Sequence, residues 1–73
     1  MRTLAKTPIH QKMRIKAITE SSLKPKLLEM GLYAGKEVKI LFVAPLGDSI
    51  AVDIDGYTLS MRLSEAALIE VEE

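Results

Sequence analysis

The chain has 73 residues, of which 48% are hydrophobic and 27% charged, with no cysteine. That is enough for one small domain over residues 1–73 and excludes a second domain, a disulfide or thiolate-metal framework and a deep substrate chamber. Ten Lys and Arg balance ten Asp and Glu, so no global field draws the molecule to nucleic acid or anionic lipid.

In chain order, Lys12 to Ala17 alternates, with Met13, Ile15 and Ala17 on one face and Lys12, Arg14 and Lys16 on the other. This is the period of a half-buried strand. Leu23, Leu27 and Met30 then line one helical stripe. Pro25 must lie in the first turn, which makes Ser22 the expected N-cap. Gly31 is the expected left-handed C-cap, with Leu32 folding back as its apolar partner.

A second strand follows, with Val38, Ile40 and Phe42 inward and Glu37, Lys39 and Leu41 outward, and it ends at Pro45-Leu46-Gly47-Asp48. Ile50, Val52 and Ile54 face inward on the third strand, and Asp55-Gly56 suits a two-residue hairpin. The fourth strand is Tyr57 to Leu63, with Tyr57, Leu59, Met61 and Leu63 as its apolar set. Ser64 to Ala67 can make one helical turn, and Ile69 and Val71 form the last strand.

Five short antiparallel strands with one short helix between the first two predict a mainly β fold, a small barrel whose closure hides its edges. The charges support closure of the first strand on the last. Up to Lys39 there are nine basic and three acidic residues, and from Ile40 onward one basic and seven acidic. Pairing the two strands would set Lys12, Arg14 and Lys16 beside Glu70 and Glu72.

Catalytic and metal signals are weak. His10 is the only histidine, too little for a tight zinc or iron site. Asp53 and Asp55 share a strand face, but Gly56 comes too early for a calcium loop. Gly31 to Glu37 has three residues between its glycines where a phosphate loop has four. No serine sits in a nucleophile elbow. The reading is therefore no enzyme, no cofactor and no metal site. One Phe and no Trp leave no stacking platform for nucleic acid.

The longest apolar run, Ile40 to Ala44, is far short of the roughly 20 residues of a membrane span or the roughly 7 to 15 of a signal-peptide core. A cytoplasmic protein without membrane insertion is expected. The outward row with Leu41 and Val43 is apolar enough to permit a homo-oligomer.

Three segments resemble the FeoA family, small proteins of bacterial ferrous iron uptake. They are Leu27-Leu28-Glu29-Met30-Gly31-Leu32 with Gly35 and Val38 behind it, Ala44-Pro45-Leu46-Gly47-Asp48, and Gly56 to Arg62 followed by Glu65-Ala66 and Ile69-Glu70-Val71. Together they span about Met13 to Val71. The resemblance implies an SH3-like barrel that assists FeoB, a membrane iron transporter with a cytosolic G-protein domain, by protein–protein contact. The expected contact surface is Met30, Gly31, Leu32 and Tyr33 at the helix end plus the loop Pro45, Leu46, Gly47 and Asp48. The alternative is a free-standing relative of the barrel domain that ends DtxR-type iron-dependent repressors. No pair of consecutive helices is present to read DNA.

Overall fold

The computed structural model describes residues 2–73. Six strands form one antiparallel sheet: β1 (Arg2–Thr3), β2 (Lys12–Ile18), β3 (Glu37–Val43), β4 (Ser49–Ile54), β5 (Tyr57–Arg62) and β6 (Ile69–Glu72). Two short helices, α1 (Lys24–Glu29) and α2 (Leu63–Ala66), join β2 to β3 and β5 to β6. The strand order is β1-β6-β2-β3-β4-β5.

Inward residues of the five longer strands meet in one core: Met13 and Ile15, Val38 and Ile40, Ile50, Val52 and Ile54, Met61, and Ile69 and Val71. A flat sheet cannot bring one face of its distant strands together, so this sheet curls on itself in the SH3-like manner. The charge pattern correctly anticipates the β2–β6 pairing, in which Arg14 lies opposite Glu72 and Ala17 opposite Glu70. Lys16 Nζ is 3.6 Å from the Glu70 carboxylate.

The barrel is nevertheless not closed, because β1 and β5 are the two ends of the sheet. The sixth strand, β1, is absent from the sequence reading because two residues cannot display alternation. It pairs with β6 through Arg2–Val71 and Thr3–Glu70. Beyond it a 3-10 turn, Leu4–Lys6, buries Leu4 completely.

Two expected strand faces are broken by register shifts. In β2 the shift against β6 between Ile15 and Ala17 leaves Ala17 in solvent and places Ile18 in the core. In β3 the shift between Ile40 and Phe42 pairs Phe42 with Ala51. Phe42 is consequently 57% exposed, not inward. One extra residue in a strand inverts the alternation beyond it, and no period-two pattern announces where it sits.

Helix α1 also starts differently. Leu23, not Ser22, is the N-cap residue. A turn closed by the Lys24 N–H on the Ser21 carbonyl brings the Ser21 hydroxyl within 3.2 Å of the Leu23 N–H, so Ser22 stays in solvent. The other end matches the expectation. Gly31 has φ +92, its N–H donates to the Leu28 carbonyl at 3.0 Å, and the Leu32 N–H donates to the Leu27 carbonyl at 3.1 Å. These are the two bonds of a Schellman motif.

Asp55 and Gly56 have φ 52 and 89, the signs a type I′ hairpin turn needs. Leu63, read as a strand end, instead begins α2, because the Glu65 carboxylate accepts the Arg62 N–H at 2.9 Å and caps a helical turn.

Candidate functional site

The two expected contact segments lie at opposite ends of β5. At one end the Tyr57 hydroxyl donates to the Met30 carbonyl at 2.5 Å. At the other the Leu63 N–H donates to the Asp48 carbonyl at 3.2 Å. The six residues of β5 separate them by about 17 Å at the usual strand rise.

Of the helix-end residues, Tyr33 is exposed and Met30 and Gly31 are half-buried, whereas Leu32 is fully buried. The Leu32 side chain belongs to the core and is not available as surface, a correction to its place in the expected set. The Schellman turn that exposes Gly31 is what drives the next side chain inward. In the loop, Pro45, Gly47 and Asp48 are exposed and Leu46 is 91% exposed. Phe42 and Val43, at the end of β3 beside this loop, are exposed as well. The bulge that turns Phe42 out is the feature sequence periodicity misses here.

Around the helix end, Lys36 Nζ forms an ion pair with Asp55 and stands 5.3 Å from the Tyr33 ring centroid. Its hydrogen bond to the Asp55 carboxylate holds the Lys36 ammonium above its ordinary 10.5, against the opposing effect of desolvation. Together with the Tyr57–Met30 bond, this pair fastens the segment after α1 to the Asp55-Gly56 turn. Tyr57, expected inward, is turned out to make that bond and is 47% exposed.

Between α1 and β5 runs a solvent-open groove of about 930 Å³, with Leu23 and Lys26 on the helix side and Ser60 and Arg62 on the strand side. Lys26 bridges its far end to Glu65 at 3.3 Å. The Arg62 N–H, and secondarily Lys26, hold the Glu65 carboxyl below its ordinary 4.5, against a desolvation that pushes it up. A carboxyl lowered in the folded state contributes stability above its unfolded value and loses it as pH falls through the folded value. Glu65→Gln is therefore expected to be less stable than the parent at pH 7, with a gap that shrinks as pH drops below 4.5. Thermal melts at pH 7 and pH 3 measure both, and a gap independent of pH would exclude the role of the charge.

Among the described residues, no group of three or more His, Cys, Asp or Glu is placed to hold a metal ion. No described helix is long and apolar enough to cross a membrane. A curled six-stranded sheet with its distinctive features all at the surface defines the class, a small SH3-like β domain.

Comparison with known proteins sharpens this. The FeoA domain model matches residues 2–73. A 47-residue stretch is 43% identical to the Fe(2+) transport protein A/Fe(2+) transporter FeoB fusion protein of Porphyromonas gingivalis, covering 64% of this chain and 6% of that protein. The solution structure of a FeoA-like protein from Clostridium acetobutylicum superposes with a TM-score of 0.90 at 41% identity, over 96% of this chain and 83% of that one. The chain belongs to the FeoA family.

More distant structures share the fold. The zinc complex of Stenotrophomonas maltophilia FeoA, a prokaryotic SH3 domain protein, gives a TM-score of 0.86 at 23% identity over 99% of this chain and 91% of that one. Cadmium-bound ScaR gives 0.85 at 21% identity, over 97% of this chain and 35% of that one.

Proposed function

We propose that this protein is a cytoplasmic accessory of ferrous iron transport that binds the cytosolic part of a FeoB-like membrane transporter. The observation that carries this reading is the fusion relative, in which a segment 43% identical to this chain is part of one polypeptide with a FeoB transporter. Fusion makes the local concentration of two modules high without any linker-independent affinity. Contact between the two modules still requires a surface on this domain.

The exposed ends of β5, with Tyr33 on one side and Phe42, Val43 and Leu46 on the other, are the apolar surface such contact would use. Any influence on iron then passes through the transporter. The alternative, a module acting on a soluble metal-dependent regulator, rests on fold likeness alone and ranks second.

The test is binding of the purified chain to its host's FeoB-like transporter in detergent. Leu46→Glu changes a side chain that is 91% exposed, so folding stability is expected to stay within about 0.5 kcal/mol of the parent. Affinity for the transporter is expected to drop at least about tenfold. A parent chain that ignores the transporter but binds a soluble regulator would overturn the accessory reading.

A further inference from the structure

The open side of the sheet points to how a partner attaches. Of its two end strands, β1 is two residues long, and Arg2 within it is tied to Glu73 by an ion pair at 3.5 Å. A strand that short cannot template another. β5 is different: six residues pair with β4 in unbroken register, whereas the β2–β6 and β3–β4 ladders both shift. β5 contains no Lys or Pro, the residues that commonly protect an exposed edge.

The register also says which backbone groups are free. From a two-residue hairpin turn, the antiparallel ladder alternates between residues that bond their partner strand and residues that do not. Starting at the Ile54–Tyr57 pair, the N–H and C=O groups of Tyr57, Leu59 and Met61 bond β4. Those of Thr58, Ser60 and Arg62 point away from it. Glu65 takes the Arg62 N–H. The outward groups of Thr58 and Ser60 have no protein partner among the described residues.

Ser60 and Arg62 line the groove beside the start of α1, and Thr58 lies one outward position before it on the same edge. The helix is held by the Lys26–Glu65 ion pair at the groove and by the Tyr57–Met30 bond at its other end. The groove is open to solvent along this part of the edge. Its walls set Lys26 and Arg62 against Asp48 and Glu65, a neutral balance that leaves the main chain as the principal recognition element. Arg62 has no ion pair among the described residues, which favours an acidic side chain beside it.

We infer that an extended segment of the protein partner adds to β5 as a seventh strand, hydrogen-bonded to the outward backbone of Thr58 and Ser60 and entering the groove beside α1 at Ser60. This rests on the proposed FeoB-like partner and names the chemistry by which it is held: a short extended peptide, free of proline at the bonding positions, with an acidic residue opposite Arg62. Strand addition of this kind draws affinity from main-chain bonds.

The test uses the full chain, labelled with 15N, and the detergent-purified FeoB-like transporter of its host. In the free chain the Thr58 and Ser60 amides are expected to exchange rapidly, and transporter binding is expected to slow both at least about tenfold. Ser60→Pro removes one outward N–H without touching the β4 ladder and is expected to weaken binding at least about tenfold, whereas Ser60→Ala, which keeps the N–H, is expected to bind like the parent. Tight binding with both amides still exchanging as in the free chain overturns the strand-addition inference and leaves the accessory reading standing. That result needs only the parent chain, so it holds even if Ser60→Pro fails to fold. Absence of any binding by the parent overturns both.

Discussion

Leu32→Ala is expected to lower the unfolding free energy by about 2–5 kcal/mol, the range for truncating a fully buried leucine. Leu32 has no exposed surface and is held in the core by a backbone turn, since its N–H is bonded to the Leu27 carbonyl. The surroundings have little freedom to close the cavity. A domain of 73 residues has only about 4–11 kcal/mol of total stability at typical per-residue values, so the loss is a large share. Urea or thermal unfolding measures it, with an expected fall in Tm of roughly 10–30 °C. A shift of only a few degrees would show that Leu32 does not anchor the helix end to the core.

Gly31→Val is expected to destabilise the same turn by a different route, at about 1–3 kcal/mol. Gly31 has φ +92, a conformation that a β-branched residue occupies only under strain. A Cβ at this position would stand 3.5 Å from the Tyr57 hydroxyl, so the further methyl groups of valine would press on the oxygen that bonds the Met30 carbonyl. Gly31→Ala keeps the ordinary contact and feels chiefly the backbone penalty, about 1 kcal/mol. Unfolding of the two variants side by side separates strain from crowding. If Gly31→Ala also binds the transporter as the parent does, Gly31 acts through turn geometry and not through contact.

Both substitutions bear on how Met30 to Tyr33 combines two functions. Leu32 secures the segment from inside while Tyr33 stays at the surface. A charged substitution at Leu32 would lose partner binding by unfolding the domain, so the exposed Leu46 is the residue that reports on binding itself. The groove proposal adds a third kind of contact, through backbone and not side chain, and Ser60→Pro against Ser60→Ala addresses it without disturbing either apolar end.

Local features were legible from the amino acids alone. The Gly31 cap, the Asp55-Gly56 turn and the helical turn after β5 depend on residues within about five positions of one another, where side-chain chemistry dictates backbone conformation directly. The β2–β6 pairing was legible for another reason: oppositely charged outward faces on the first and last long strands had one economical arrangement. Family resemblance carried the rest of the functional expectation, and the FeoA domain match over residues 2–73 bears out the family.

Tertiary structure decided what alternation could not. Only the ladders reveal the shifts that put Ile18 into the core and turn Phe42 out, because each depends on the partner strand and not on its own sequence. Only tertiary packing sends the Tyr57 hydroxyl to Met30 and places the two expected contact segments at opposite ends of β5. The amino-acid sequence by itself determined the five longer strands, the two short helices, their order and the charged seam between β2 and β6. Which strand edge stayed open, and what lined it, came from contacts between residues far apart in the chain, whose geometry is set by the balance of all the packing at once.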